Sequence, residues 1–190
     1  MENNKETKLA VIFPGVGYHV DKPLLYYSKK LAAAAGYKVV EVSYGNLPAI
    51  RKDKKLASIF EIALKATEKS LKHIDFQQYD DVLFIAKSIG TCVCGAYAQN
   101  HRLHTRNILY TPVKATFSFD FDSGIAFSGT NDRMIDVENV KAGCGQLGIE
   151  LHIIEGANHS LETGDVLVDS ANIHRVMEIT AKYIEDDGKI

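Results

Sequence analysis

The sequence lacks an excess of charge of either sign. Its 22 Lys and Arg residues are balanced by 24 Asp and Glu residues, so the formal net charge is −2 at pH 7. Proteins that bind nucleic acid or anionic lipid usually do so through concentrated positive charge. The composition therefore predicts neither a nucleic-acid partner nor a membrane partner.

Long apolar stretches are missing as well. No run in the sequence approaches the roughly 20 apolar residues that a bilayer-spanning helix requires. The first eight residues are mainly polar and charged, unlike the apolar core of a signal peptide. We therefore expect a cytoplasmic protein.

Cysteine is scarce. The three thiols, at Cys92, Cys94 and Cys144, form an odd set without Cys-x-x-Cys spacing. This pattern predicts neither a disulfide framework nor a zinc site, and we expect reduced, half-buried packing residues. No metal is expected beside His159 either, because the scattered carboxylates that follow it fall short of a zinc ligand cluster.

The glycine motif of a dinucleotide site is incomplete. Gly15 and Gly17 follow the first apolar run, but Val20 stands where the third glycine of that motif would be. The sequence therefore predicts no dinucleotide site, and no cofactor is expected.

What the sequence does contain is the composition of one globular domain. It has 190 residues, of which 46% are hydrophobic and 24% are charged. That length suffices for a single well-buried core. No repeat, low-complexity tract or linker interrupts the chain, so we interpret residues 1–190 as one domain.

Short apolar runs alternate with segments of helical periodicity along the whole chain. The runs are nearly all apolar, which is typical of strands buried on both faces of a parallel sheet. Six strands are predicted, at residues 9–13, 38–42, 82–85, 107–110, 124–128 and 151–154. Between them we expect amphipathic helices, two of them capped by Asp21 and Asp136. The predicted fold class is α/β, a three-layer doubly wound sandwich with helices on both faces.

Three polar residues follow three of these strands. Ser88 comes after the third strand, Asp132 after the fifth and His159 after the sixth. The carboxyl ends of parallel strands share one edge of the sheet, so the three side chains are expected there together. A serine hydroxyl needs a histidine to take its proton and a carboxylate to orient that histidine. The spacing therefore predicts a catalytic triad.

In this context the sequence resembles the α/β-hydrolase superfamily, specifically small members without a lid domain, such as dienelactone-hydrolase-like and short-chain esterase-like proteins. The resemblance covers about residues 9–184 and lacks only the first two strands of larger relatives. Ser88 occupies the nucleophile elbow Ala86-Lys-Ser-Ile-Gly90, Asp132 a Gly-x-x-Asp motif and His159 the loop after the last strand.

The resemblance also implies an oxyanion hole and a substrate surface. The hole would use the backbone N–H of Ile89 and one from the loop at residues 15–18, where Val16 is the first choice. Pro14-Gly-Val-Gly17 replaces the usual His-Gly start of that loop. Substrate contacts are assigned to five residues, namely Gly15, Gly17, Tyr18, His19 and Lys87.

The function predicted from these residues is hydrolysis of a small carboxylic ester or thioester through an acyl-enzyme intermediate. Other interpretations stay open at this point: a non-catalytic binding module on the same fold, or a peptidase or carbon–carbon hydrolase. Taken singly, Ser88 could be an ordinary helix cap and Asp132 a turn residue.

The segment at residues 111–123 is too short for a lid and carries three alternating phenylalanines, Phe117, Phe119 and Phe121. They are expected to add an apolar wall beside an open site. They could instead belong to the core or to a dimer contact, which leaves a homodimer open.

Overall fold

The computed structural model describes residues 7–45 and 56–186. Its centre is a parallel six-stranded sheet of order β2-β1-β3-β4-β5-β6, formed by β1 (Lys8–Phe13), β2 (Lys38–Glu41), β3 (Asp81–Lys87), β4 (Arg106–Tyr110), β5 (Ser123–Gly129) and β6 (Glu150–Ile154). The described ranges hold five α-helices, α1 (Pro23–Ala34), α2 (Leu56–Leu71), α3 (Ile89–His101), α4 (Val137–Leu147) and α5 (Val166–Glu185). The predicted α/β fold with six parallel strands is confirmed.

The sheet is buried on both faces because successive side chains of a strand point to opposite sides. In β1, Leu9, Val11 and Phe13 pack into a core shared with α2, α3 and α4. Ala10 and Ile12 face the second core, which lies under α1 and α5. These two cores are the reason that the strands read as continuous apolar runs.

The strand order reverses between β1 and β3, whose carboxyl ends are therefore followed by loops that diverge to opposite sides. Such a switch point is the usual place for a ligand site in a doubly wound sheet. Ser88 follows β3 at this point, and the loop of residues 15–18 follows β1.

The helix ends test the two capping residues that the sequence predicts, Asp21 and Asp136. Asp136 caps α4, because its carboxylate accepts the Glu138 N–H at 3.0 Å, and Gly148 ends that helix at φ +67°. The predicted cap at Asp21 is wrong: Lys22 occupies the N-cap position of α1 without a side-chain bond. Asp21 instead pairs with Lys29 at 3.1 Å. No helix in the described ranges is both long and apolar enough to cross a bilayer.

The three cysteines are free thiols, and all of them are buried. Burial raises the pKa of Cys144 to about 11, and it also raises the pKa values of Cys92 and Cys94. A thiol with a raised pKa stays protonated and unreactive at neutral pH. The prediction of packing residues is confirmed, and the three side chains are buried more deeply than the half-buried positions expected.

The phenylalanines of the segment after β4 are mostly packing residues, which corrects their interpretation as a pocket wall. A Cβ added at Gly95 of α3 would lie 2.9 Å from both Phe119 and Phe121. One added at Gly143 of α4 would lie 2.4 Å from the Phe117 ring. The rings therefore occupy gaps that the two helix glycines leave, and Phe117 also borders a surface cavity.

Candidate active site

Ser88 lies on the sharp turn between β3 and α3. Its backbone has φ 55° and ψ −122°, a conformation that costs a non-glycine residue about 1–3 kcal/mol. The turn is held by bonds from both sides: the Ser88 N–H donates to Tyr110 O at 3.0 Å, and the Thr91 hydroxyl donates to Ser88 O at 2.6 Å. α3 therefore begins directly after Ser88, at Ile89.

His159 bridges Ser88 and Asp132, as the spacing of the three loops predicts. Its Nε2 lies 2.8 Å from Ser88 Oγ, and its Nδ1 lies 2.7 Å from Asp132 Oδ2. A carboxylate can only accept, so Nδ1 carries the hydrogen and Nε2 is left with a lone pair toward the serine hydroxyl. The Asp132 side chain has no exposed surface, whereas that of His159 is 24% exposed.

Asp132 combines both roles that its sequence context suggests. Oδ2 orients the imidazole, while Oδ1 accepts the backbone N–H of Met134 at 2.8 Å. The turn contact fixes the carboxylate plane, and that plane in turn fixes the ring of His159. Turn closure and histidine orientation are therefore compatible.

Two close backbone contacts bring the loops of the site together. A Cβ at Gly129, the last residue of β5, would lie 2.0 Å from Ala157 O in the loop that carries His159. A Cβ at Gly90 would lie 2.4 Å from Phe13 O at the end of β1. A side chain at either position would push these loops apart, so both glycines are required by space.

The loop after β1 lies against the nucleophile elbow. A Cβ at Gly15 would be 3.2 Å from Ser88 Cβ, and Gly15 and Tyr18 bond to each other through their main chains. Val16 and Gly17 lie between these paired residues, and their N–H groups take no part in the pairing. Ile89 is in the first turn of α3, where N–H groups have no acceptor within the helix.

Two of the five residues assigned to substrate contact do not line the surface. Lys87 is 1% exposed and Tyr18 is 6% exposed, and the Tyr18 hydroxyl accepts the Leu24 N–H at 3.2 Å. Burial raises the pKa of Tyr18 to about 12. Burial of Lys87 and Tyr18 could not be predicted from the sequence, because both residues adjoin motif positions. Gly15, Gly17 and His19 do border an open cavity of about 500 Å³.

A second cavity of about 640 Å³ borders the segment after β4 and the turn after Asp132. Its lining includes Val113, Phe117 and Met134. Among the His, Cys, Asp and Glu side chains in the described ranges, no group of three or more is placed to hold a metal ion.

No family model and no curated protein sequence matches the chain. Solved structures do match it over nearly its whole length. The fold is that of the α/β-hydrolases. An alpha-beta serine hydrolase homologue from Coxiella burnetii superimposes with a TM-score of 0.65 at 16% identity, over 94% of this chain and 85% of that one.

Two further solved structures share this fold with the chain at low sequence identity. An esterase from Pyrococcus furiosus has a TM-score of 0.68 and 13% identity, over 96% of this chain and 84% of its own. A sugar hydrolase from Lactococcus lactis has a TM-score of 0.66 and 17% identity, over 96% and 90%. Identities this low establish a common fold, and function has to be argued from the site.

Proposed function

We propose that the protein is a serine hydrolase that cleaves small carboxylic esters or thioesters. The observation that carries the proposal is the hydrogen-bonded chain from Ser88 through His159 to Asp132, with distances of 2.8 Å and 2.7 Å. Such a chain lets the imidazole take a proton from the serine as the hydroxyl attacks a carbonyl carbon. The fold is compatible with this chemistry.

The reaction proceeds in two halves. Ser88 Oγ bonds to the acyl carbon while its proton moves to His159 Nε2, and the carbonyl π electrons move to oxygen. The N–H groups of Ile89 and Val16 stabilise that oxyanion. The imidazolium then returns the proton to the departing alcohol or thiol, which leaves an acyl-enzyme. Water repeats the sequence, releases the acid and restores Ser88.

The strained turn at Ser88 weighs against a binding module without catalysis. A positive φ at serine costs stability, and a binding surface gains nothing from that cost. A nucleophile gains an accessible Oγ at the start of a helix. No specific contact among the described residues favours a peptidase or a carbon–carbon hydrolase over an esterase.

Short acyl chains are the expected substrates. Phe119 and Phe121 pack on α3, so they do not build an apolar channel, and each buried methylene would otherwise contribute about 0.8 kcal/mol, or roughly fourfold in kcat/KM. We expect kcat/KM for p-nitrophenyl esters to be highest at acetate or butyrate and to gain less than this per methylene beyond them. The measurement is the series from acetate to palmitate.

Two outcomes of that series would count against the proposal. A steady fourfold rise per methylene out to palmitate would show a deep apolar channel and contradict the open site. Absence of Ser88-dependent turnover of every ester and thioester tested would contradict the hydrolase function itself.

A further inference from the structure

Lys87 carries a buried amino group directly before the proposed nucleophile. Its side chain is among the fully buried ones, at 1% exposure. Nζ donates to Thr111 Oγ1 at 2.5 Å and to the backbone oxygen of His159 at 2.8 Å. Nζ also lies over the ring of Tyr18, 4.9 Å from the ring centroid. The proposed ester hydrolysis assigns no step to this amino group.

The His159 carbonyl receives a second bond from the same cluster. Thr111 Oγ1 donates to it at 3.1 Å, so Lys87 at the end of β3 and Thr111 just after β4 both bind one oxygen of the loop that follows β6. We propose that Lys87 and Thr111 form a carbonyl clamp that positions the His159 imidazole between Ser88 and Asp132. The inference rests on the proposed function of that imidazole.

The geometry explains how a bond to the main chain acts on the ring. The carbonyl and the side chain of His159 leave the same Cα, so a fixed carbonyl direction limits where Cβ can point. A shift of about 1 Å at a catalytic group lowers the rate by up to about 100-fold. Nε2 of His159 lies 2.8 Å from Ser88 Oγ, and a shift of that size would lengthen this distance beyond hydrogen-bonding range.

Thr111 is held in the orientation that the clamp needs. Its φ of 43° lies in the left-handed region, which disfavours a β-branched residue. Its N–H donates to Phe127 O at 2.7 Å, which ties the residue to β5. The strained backbone directs Oγ1 toward Lys87 and His159 instead of toward solvent.

Burial of the Lys87 amino group opposes folding, because the charged form loses its contact with water. Desolvation lowers the pKa of Lys87 to about 7, against the opposing effect of the Asp132 and Glu162 carboxylates, and Lys22 adds to the lowering. The amine and the ammonium each have hydrogens for both acceptors, so the clamp exists in either protonation state. An apolar side chain of similar length, such as that of methionine, would avoid the cost of burying charge but has no hydrogen to donate to the carbonyl.

The test compares Lys87→Met, Thr111→Val and the matched control Thr111→Ser, which keeps the hydroxyl. We expect K87M and T111V each to lower kcat about 10- to 100-fold with KM within about twofold, and T111S to retain at least half of the parent kcat. The double variant K87M/T111V is expected to lose less than the product of the two single losses, because both groups bind one oxygen.

A spectroscopic measurement reads the position of His159 without reference to turnover. In protein labelled with ¹⁵N-histidine, the Nδ1 proton bonded to Asp132 should give a downfield signal that Asp132→Asn removes. We expect this signal to be broadened or displaced in K87M and T111V and preserved in T111S. If esters are not hydrolysed at all, the proposed function fails, and the signal still decides the clamp.

Folding of the lysine variant is checked by thermal unfolding. The pKa of Lys87 is lowered in the folded state, so its burial opposes folding most strongly below pH 7, and this penalty fades as the pH rises from about 7 toward the unfolded value of 10.5. The melting temperature of K87M relative to the parent should therefore be higher at pH 6 than at pH 9. Folded K87M and T111V with kcat within threefold of the parent and an unchanged Nδ1 signal would overturn the clamp.

Discussion

Replacement of Ser88 by alanine is expected to lower kcat/KM for p-nitrophenyl acetate by about 10⁴- to 10⁶-fold. The change removes the side-chain oxygen that the mechanism bonds to the acyl carbon, and it leaves the backbone hydrogen bonds of the turn to Tyr110 and Thr91 in place. The protein should therefore fold normally. The measurement is steady-state hydrolysis, with the melting temperature recorded for both proteins.

Ser170→Ala provides the matched control for this change. Ser170 is exposed on α5, and its hydroxyl donates to Val166 O of the same helix at 2.8 Å. It should keep activity within about twofold of the parent, as surface substitutions usually do. A folded S88A protein that hydrolyses the ester within tenfold of the parent rate would remove Ser88 from the mechanism.

Asp132→Asn is expected to lower kcat by about 10⁴-fold while the fold is retained. An asparagine can keep its Oδ1 on the Met134 N–H, which Asp132 binds at 2.8 Å. Its Nδ2 would then face His159 Nδ1 and donate to it. The imidazole would be held in the tautomer whose Nε2 carries a hydrogen, and such a nitrogen cannot take the serine proton.

The same substitution at an aspartate that binds a backbone N–H but no histidine separates orientation of His159 from closure of a turn. Asp136 is exposed and caps α4 through the Glu138 N–H at 3.0 Å, so Asp136→Asn should leave kcat within about twofold. If D132N retained more than a tenth of the parent kcat, orientation of His159 by Asp132 would not be needed for catalysis.

The fold could be predicted because its signals are local. Strands buried on both faces have to be apolar throughout, and β1 and β3 show this in the sequence without reference to their neighbours. The order of the loops then places Ser88, Asp132 and His159 at one edge of the sheet, which the distances between their side chains agree with.

Features that depend on several distant segments could not be predicted. Lys87 looks like a surface residue beside a motif, and only the approach of Thr111 and of the His159 carbonyl gives its amino group acceptors inside the protein. The glycines of α3 and α4 weaken those helices locally, but Gly95 and Gly143 make room for rings from another segment. Asp21 has the sequence context of a helix cap, yet Lys29 on α1 competes for its carboxylate.

The most direct test of the central claim is covalent labelling with a fluorophosphonate probe, followed by mass spectrometry of the digested protein. A nucleophilic serine paired with a histidine displaces fluoride from such a probe and keeps the phosphonyl group. The proposed mechanism predicts one adduct, on the peptide that contains Ser88, absent from S88A and formed much more slowly in D132N. An adduct on a different residue, or ester hydrolysis by a protein that the probe leaves unmodified, would contradict it.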